Sequence, residues 1–173
     1  MNQLDRYVRS RQVDLAADIR GRKKIYLDIR FWIIARDAAA GASEEVEKGE
    51  MLSLLRRGVA DGTLVCPISE STFIELMKQA NTPTLRIATA VLIDELSLGV
   101  SLISSNMRIG TEIAHFIYTH SDRGNLYGMQ DLVWTKLAYA LGYMHPHMEM
   151  LDGETELRLQ KGVLRCSVAG HAF

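Results

Sequence analysis

Three carboxylates, far apart in the chain, set the chemistry to be considered: Asp28, Glu75 and Asp131. Asp28 closes a short apolar run, Ile25-Tyr26-Leu27, and a helix-like stretch follows at once. That places it at the C-terminal tip of a buried strand, where open α/β sheets bind ligands. Glu75 falls about one turn into the helix expected after a second strand, flanked by Phe73, Ile74 and Leu76. An acid so flanked either faces solvent or is aimed at a site, and the residues alone favour solvent. Asp131 opens a late helix whose apolar stripe is Leu132, Val133, Leu137, Ala138 and Leu141. There an N-cap role and a ligand role are compatible. Glu70 stands nearer its helix start, where an acid serves the helix dipole without further duty. Hard cations such as Mg²⁺ take one or two direct carboxylates together with water and phosphate oxygens. Ions that hold both the attacking and the leaving oxygen of a phosphodiester need acids converging from different elements. Such acids would raise one another's pKa unless a cation neutralised them.

The elements that must position these acids alternate. Apolar runs at Ile25–Leu27, Leu64–Cys66 and Val100–Ile103 read as strands, each closed by a turn signal. Helical spacing predicts helices over 30–39, 44–60, 70–80, 84–98, 107–120 and 130–144, and a less regular one over 3–20. Ser43 is a candidate N-cap for the second of these, and Ser69 or Ser71 for the third. The Ser121–Gly128 stretch, with Gly124-Asn125, reads as a loop, and Glu156–Val168 could hold a late strand. Strands alternating with helices argue for an α/β domain: three layers, α/β/α, with a central mostly parallel sheet. Right-handed crossovers would then align Asp28, the Pro67–Ser71 turn and the Ser104–Asn106 turn along one sheet edge. The expected organisation is a basic helical segment over 1–22, one α/β domain over 23–150 and a tail over 151–173.

The chain's 173 residues suit one well-buried domain. Its net charge of −1 does not announce a nucleic-acid binder. The charge is uneven, however: residues 1–24 hold seven Lys or Arg against three acids, while residues 25–80 hold nine acids against six bases. A basic lip beside an acidic interior suits a phosphate chain approaching bound metal; a solvated helix face explains the same pattern. Cys66 and Cys166 lie far apart without CxxC spacing, as expected of free thiols in a reducing compartment. With a polar, charged start and no long apolar run, the expectation is a cytoplasmic protein without a membrane span.

Three phrases carry a resemblance: KKIYLDIRFWIIA (23–35), PISESTFIELMKQ (67–79) and YGMQDLVWTKLAYALGY (127–143). Their order resembles that of PIN-domain nucleases, in which a strand delivers a first aspartate, a serine-capped helix a second acid, and a late helix a third. The resemblance covers roughly residues 23–144 and selects the functional reading for Glu75. It implies a small ribonuclease using Mg²⁺ or Mn²⁺ held by Asp28, Glu75 and Asp131, often the toxin of a toxin–antitoxin pair. RNA as substrate, an antitoxin-type protein partner and a homodimer are implied with it. Arg30, Lys23 and Lys24 are the candidates for holding the RNA backbone. Two departures stand out. Ile29-Arg30 follows Asp28 where the family has a small hydroxyl residue and then Asn or Ser. No T-x-D closes the domain, leaving Asp152 in Asp152-Gly153-Glu154 as a fourth acid by another route, or none.

Other constellations are weaker. His145-Pro-His147 lacks further ligands at zinc-binding spacing, and His115 and His120 are five apart, off one helix face. No phosphate-binding glycine loop and no G-x-S-x-G is present, and neither cysteine has a nearby histidine to activate it. Trp32 and Trp134 read as core residues. A non-catalytic PIN-like module that binds RNA or a protein is the alternative function, and its support is the pair of departures.

Overall fold

The strand that carries Asp28 is short, and Pro67 explains why. In the computed structural model, which describes residues 3–41, 46–121, 127–142, 152–155 and 158–159, β1 (Lys23–Lys24) pairs in parallel with β2 (Leu64–Val65). Lys23 N donates to Thr63 O and Ile25 N to Val65 O. The next residue of β2 whose backbone faces β1 is Pro67, which has no N–H to offer, so the ladder stops there. Residues 25–28 continue extended without ladder pairing.

Beyond Pro67 the same strand turns its hydrogen bonds to the other side. Ile68 bridges Ser101 in parallel, donating to Val100 O and accepting from Leu102 N. Ser101 belongs to β3 (Val100–Leu102), which pairs antiparallel with β4 (Trp134–Lys136). The strands therefore run β1-β2-β3-β4 in space, as two two-stranded ladders joined by one bridge. The mixed α/β character expected from the sequence is present, with the sheet reduced to this narrow array, parallel for β1 to β3 and reversed at β4.

Helices supply most of the described residues: α1 (Gln3–Ile19), α2 (Ile29–Ala39), α3 (Val46–Ala60), α4 (Glu70–Gln79), α5 (Pro83–Ser97), α6 (Ser105–Thr119), α7 (Met129–Leu132) and α8 (Leu137–Ala140). The first six agree with their expected spans to within about two residues; Ser43 lies outside the described residues. The single helix expected over 130–144 is instead α7, β4 and α8. Val133-Trp134-Thr135 favours extended backbone, and the open edge of β3 offers it hydrogen bonds, including Ile103 N to Val133 O and Leu137 N to Gly99 O. Tertiary pairing outweighs helical periodicity there. The Gly124-Asn125 turn and nearly all of the late strand expected over 156–168 lie outside the described residues.

The run Leu64–Ile68 is apolar throughout because both of its sides are buried. Val65, with Val100, packs on Ile19 of α1. Cys66 and Ile68 point the other way, into Trp32 and Ala35 of α2, Leu52, Leu55 and Val59 of α3, Leu76 of α4, and Leu92, Ile93 and Leu96 of α5. The basic N-terminal segment is thus part of the packed structure through its helix. At the start of β3, Leu98 and Gly99 both take positive φ (53° and 67°), ending α5 abruptly. Leu98 O accepts from Lys136 Nζ at 3.0 Å. Burial lowers the pKa of Lys136, with repulsion from Arg11 adding to it and Asp18 and Asp94 opposing. Among the described residues no helix is long and apolar enough to cross a membrane.

Candidate functional site

Because β1, β2 and β3 run the same way, their C-terminal ends lie together. Counting from Lys23↔Leu64 and from Ile68↔Ser101 puts Asp28 level with Ser69, and Ser69 level with Leu102. Each strand then enters a helix: Asp28 is the N-cap of α2, Ser69 of α4 and Ser104 of α6. Three helix N-termini, each with partial positive charge, therefore line one edge beside exposed acids. The alignment expected from the sequence is present in this local form.

The Asp28 carboxylate accepts the Phe31 N–H through Oδ1 at 3.1 Å, and its side chain is exposed. Ser69 Oγ accepts the Thr72 N–H at 3.2 Å. The same hydroxyl lies 3.0 Å from Ser71 Oγ, 3.0 Å from Thr72 Oγ1 and 2.9 Å from Tyr26 Oη. Tyr26 Oη also lies 3.0 Å from Thr72 Oγ1. Four hydroxyls thus form one network across the gap that Pro67 leaves in the ladder. Tyr26 and Asp28, two apart on extended chain, point to the same side. Thr72 and Glu75, three apart on α4, share a helix face. The network consequently ties the strand end bearing Asp28 to the helix face bearing Glu75, and Glu75 is exposed.

Asp131 is engaged by an arginine. Its Oδ1 accepts from Arg20 Nη2 at 3.1 Å, and its side chain is 19% exposed. Among the described residues no three His, Cys, Asp or Glu side chains are gathered so as to hold a metal ion. Asp28 and Glu75 thus lie on elements joined by the hydroxyl network, while Asp131 pairs with an arginine. Arg30 is exposed one residue into α2. Lys23 and Lys24 lie at the start of β1, roughly 13–17 Å along extended chain from Asp28. Lys24 Nζ donates to Arg20 O. These two lysines flank the strand's far end, and of the three expected phosphate-binding residues only Arg30 is next to Asp28.

A shallow cleft of about 300 Å³ continues the edge past β3, lined by Glu70, Ser104, Ser105, Asn106 and Ala140–Gly142. Glu70, secondary in the sequence, lines this cleft. Asp152 is occupied locally: it accepts from Glu154 N, Thr155 N and Thr155 Oγ1. The Thr155 hydrogen bonds hold its carboxyl below the usual range. His120 Nδ1 lies 2.8 Å from Phe116 O, and its ring sits on Phe116. His145, His147 and His171 lie outside the described residues. Burial pushes the Cys66 thiol up to about 11, which suits a packing role rather than a nucleophile.

Sequence reasoning missed Tyr26 and the role of the serine–threonine cluster. The available signal was an aromatic hydroxyl two residues before Asp28 and Ser69-x-Ser71-Thr72 directly after a proline. No family model, curated protein or solved structure matches the chain.

Proposed function

We propose that this chain is a divergent PIN-type ribonuclease that hydrolyses RNA phosphodiester bonds with Mg²⁺ or Mn²⁺. The observation that carries the reading is the Tyr26–Ser69–Thr72 hydroxyl network, which joins the strand end of Asp28 to the helix of Glu75 at a ligand-binding sheet edge. On this reading β1 to β3 are the parallel centre of a PIN-type three-layer fold, with α1 over one face and α2 to α5 over the other.

The donor set fits a hard cation. Two exposed carboxylates suffice where water and a substrate phosphate complete the shell, so Asp28 and Glu75 are the protein ligands. Asp131 is a third only if Arg20 releases it. The ion would supply Lewis acidity and an activated water. The chain's own contribution is positional. Asp28 is fixed by its bond to Phe31 N, and Ser69 and Thr72 are fixed against Tyr26, which holds the helix that carries Glu75 beside the strand end of Asp28. The N-termini of α2 and α4 favour the phosphate charge, and Arg30 offers a bidentate phosphate contact beside Asp28. Arg30 thus fills with a cation the region where the family places a hydroxyl and an amide.

The non-catalytic alternative is favoured by one observation, the engagement of Asp131 by Arg20. Single-stranded RNA incubated with Mn²⁺ and the parent, Asp28→Asn or Glu75→Gln protein separates the two. Cleavage by the parent and none by either variant supports the nuclease. RNA binding without cleavage by all three supports the module.

A further inference from the structure

Past Asp28 along the sheet edge, the polar side chains change character. Around Ser69 the hydroxyls bond one another, linking Tyr26, Ser71 and Thr72. In the neighbouring cleft of about 300 Å³ they do not. Glu70 is partly buried there, and among the described residues the side chains of Glu70, Ser105 and Asn106 have no hydrogen-bond or ionic partner. Ser104 is the N-cap of α6, yet its hydroxyl takes no capping hydrogen bond. A partly buried carboxylate without a protein partner is left to water or to a ligand.

The lining says what fits. Among the described residues Glu70 is the only charged group lining the cleft, and no Lys or Arg joins it, so a phosphate is not the ligand. A flat ring with N–H groups on its edge is better matched. Ala140 and Leu141 offer apolar surface to its face, and Glu70 offers acceptors to its edge. The volume lies at the small end of ligand sites, which suits one nucleoside. The position suits it too. Ser69 is level with Asp28 and Leu102 with Ser69, so the cleft begins two strand spacings, about 10 Å, from Asp28. A nucleotide adjoining a phosphate held at Asp28 reaches that far.

We propose that this cleft is a base-reading subsite in which Glu70 sets nucleotide preference, for guanine. The proposal rests on the nuclease reading for its substrate and adds which base is read. A carboxylate only accepts, so its two oxygens favour a base edge with two adjacent donors. Guanine alone has one, in N1–H and the N2 amino group. Adenine and cytosine set an amino donor beside a ring acceptor, and uracil sets one N–H between two carbonyls. Asn106 and the serine hydroxyls supply donors for guanine O6. An acid in the first turn of α4 also serves the helix dipole, and that role by itself gives no base preference.

Calorimetric titration of the full chain with guanosine, adenosine, cytidine and uridine, without metal, tests the site apart from cleavage. Guanosine should bind about tenfold tighter than the other three, the worth of a bidentate base contact. Glu70→Gln sets a donor beside an acceptor. Guanosine should then weaken about tenfold while adenosine and cytidine strengthen. A folding defect would weaken all four, so the gain separates a lost site from a lost fold. Cut sites mapped in a mixed-sequence RNA with Mn²⁺ should lie beside guanosines for the parent, and Glu70→Gln should lose that preference. Cleavage with no base preference overturns the subsite and leaves the nuclease reading standing. Guanosine binding that requires Glu70, without cleavage by the parent, supports the subsite and overturns the nuclease reading. Equal binding of all four nucleosides, no binding at about 1 mM, or guanosine binding unchanged by Glu70→Gln overturns the proposal.

Discussion

Removing the Ser69 hydroxyl should cost more than the loss of a helix cap, because that hydroxyl is the node at which three other side chains meet. The cap alone, Thr72 N to Ser69 Oγ at 3.2 Å, is worth about 1 kcal/mol. Ser69→Ala also takes a partner from Tyr26, Ser71 and Thr72. Each such bond is worth about 0.5–1.5 kcal/mol net, and the lower figure applies where water can replace the partner. Half-exposed Tyr26 can turn to water, so the expected total for Ser69→Ala is about 1.5–2.5 kcal/mol. For a chain of this size that lowers Tm by roughly 4–8 °C. Tyr26→Phe, which removes one hydroxyl, should cost about 0.5–1 kcal/mol. The double variant is decisive, because the two residues join separate elements. Urea unfolding of the parent, both single variants and the double variant should give a coupling of about 0.5–1 kcal/mol. Additivity to within about 0.3 kcal/mol, with a Ser69→Ala loss no larger than that of a bare cap, would refute the claim that this network ties β1 to α4. The positional basis for pairing Asp28 with Glu75 would go with it.

Three further outcomes are expected. Asp131→Asn should lower stability by less than about 1 kcal/mol, since its partner Arg20 is 71% exposed; a larger fall in Tm would make the pair a structural strut. Cys66 keeps its proton in the folded chain up to about pH 11, while the unfolded chain loses it near the ordinary value of 9.0. Its contribution to stability is therefore intact below pH 9 and declines as pH climbs towards 11, by about 2–3 kcal/mol in all. Unfolding curves of the parent should steepen with pH over that window relative to Cys66→Val, and parallel curves would contradict the buried thiol. Arg36 is buried on α2, pairs with Asp37 through Nε and Nη2, and finds no partner for Nη1 among the described residues. Arg36→Met should be neutral or stabilising by up to about 1 kcal/mol in thermal unfolding; a loss above about 2 kcal/mol would show that Nη1 has an acceptor.

The parts of this fold that were legible in the sequence are those decided by local physics. Asp28 after an apolar run and before a helix is a strand end and an N-cap, and it is found as both. Ser69 as a cap and Asp61-Gly62 as a turn follow from side-chain hydrogen bonding and from a glycine at φ 71°. What failed was decided by partners distant in sequence. Residues 130–144 carry a helical apolar spacing, yet 134–136 within them meet the bare edge of β3, and three antiparallel pairs prevail. Asp131 reads as a helix-opening acid, and nothing near it in sequence announces its ion pair with Arg20, 111 residues earlier. No spacing rule reaches that far.

Pro67 shows how the two kinds of information combine. From the sequence it marks only the end of an apolar run. In the structure its missing N–H stops the β1–β2 ladder one residue short of Tyr26, and the backbone connection that would have joined the strands is replaced by a side-chain one. The hydroxyls of Tyr26, Ser69, Ser71 and Thr72 gather across that break, where Asp28 ends its strand. The departure from the family pattern at Ile29-Arg30 can be reread in this light. On the proposed nuclease reading, the hydroxyl absent after Asp28 has counterparts in Tyr26, two residues before it, and in Ser69 and Thr72 of the same network. Restoring a threonine at position 29 would then add little, whereas Tyr26→Phe with Ser69→Ala would remove what stands in for it.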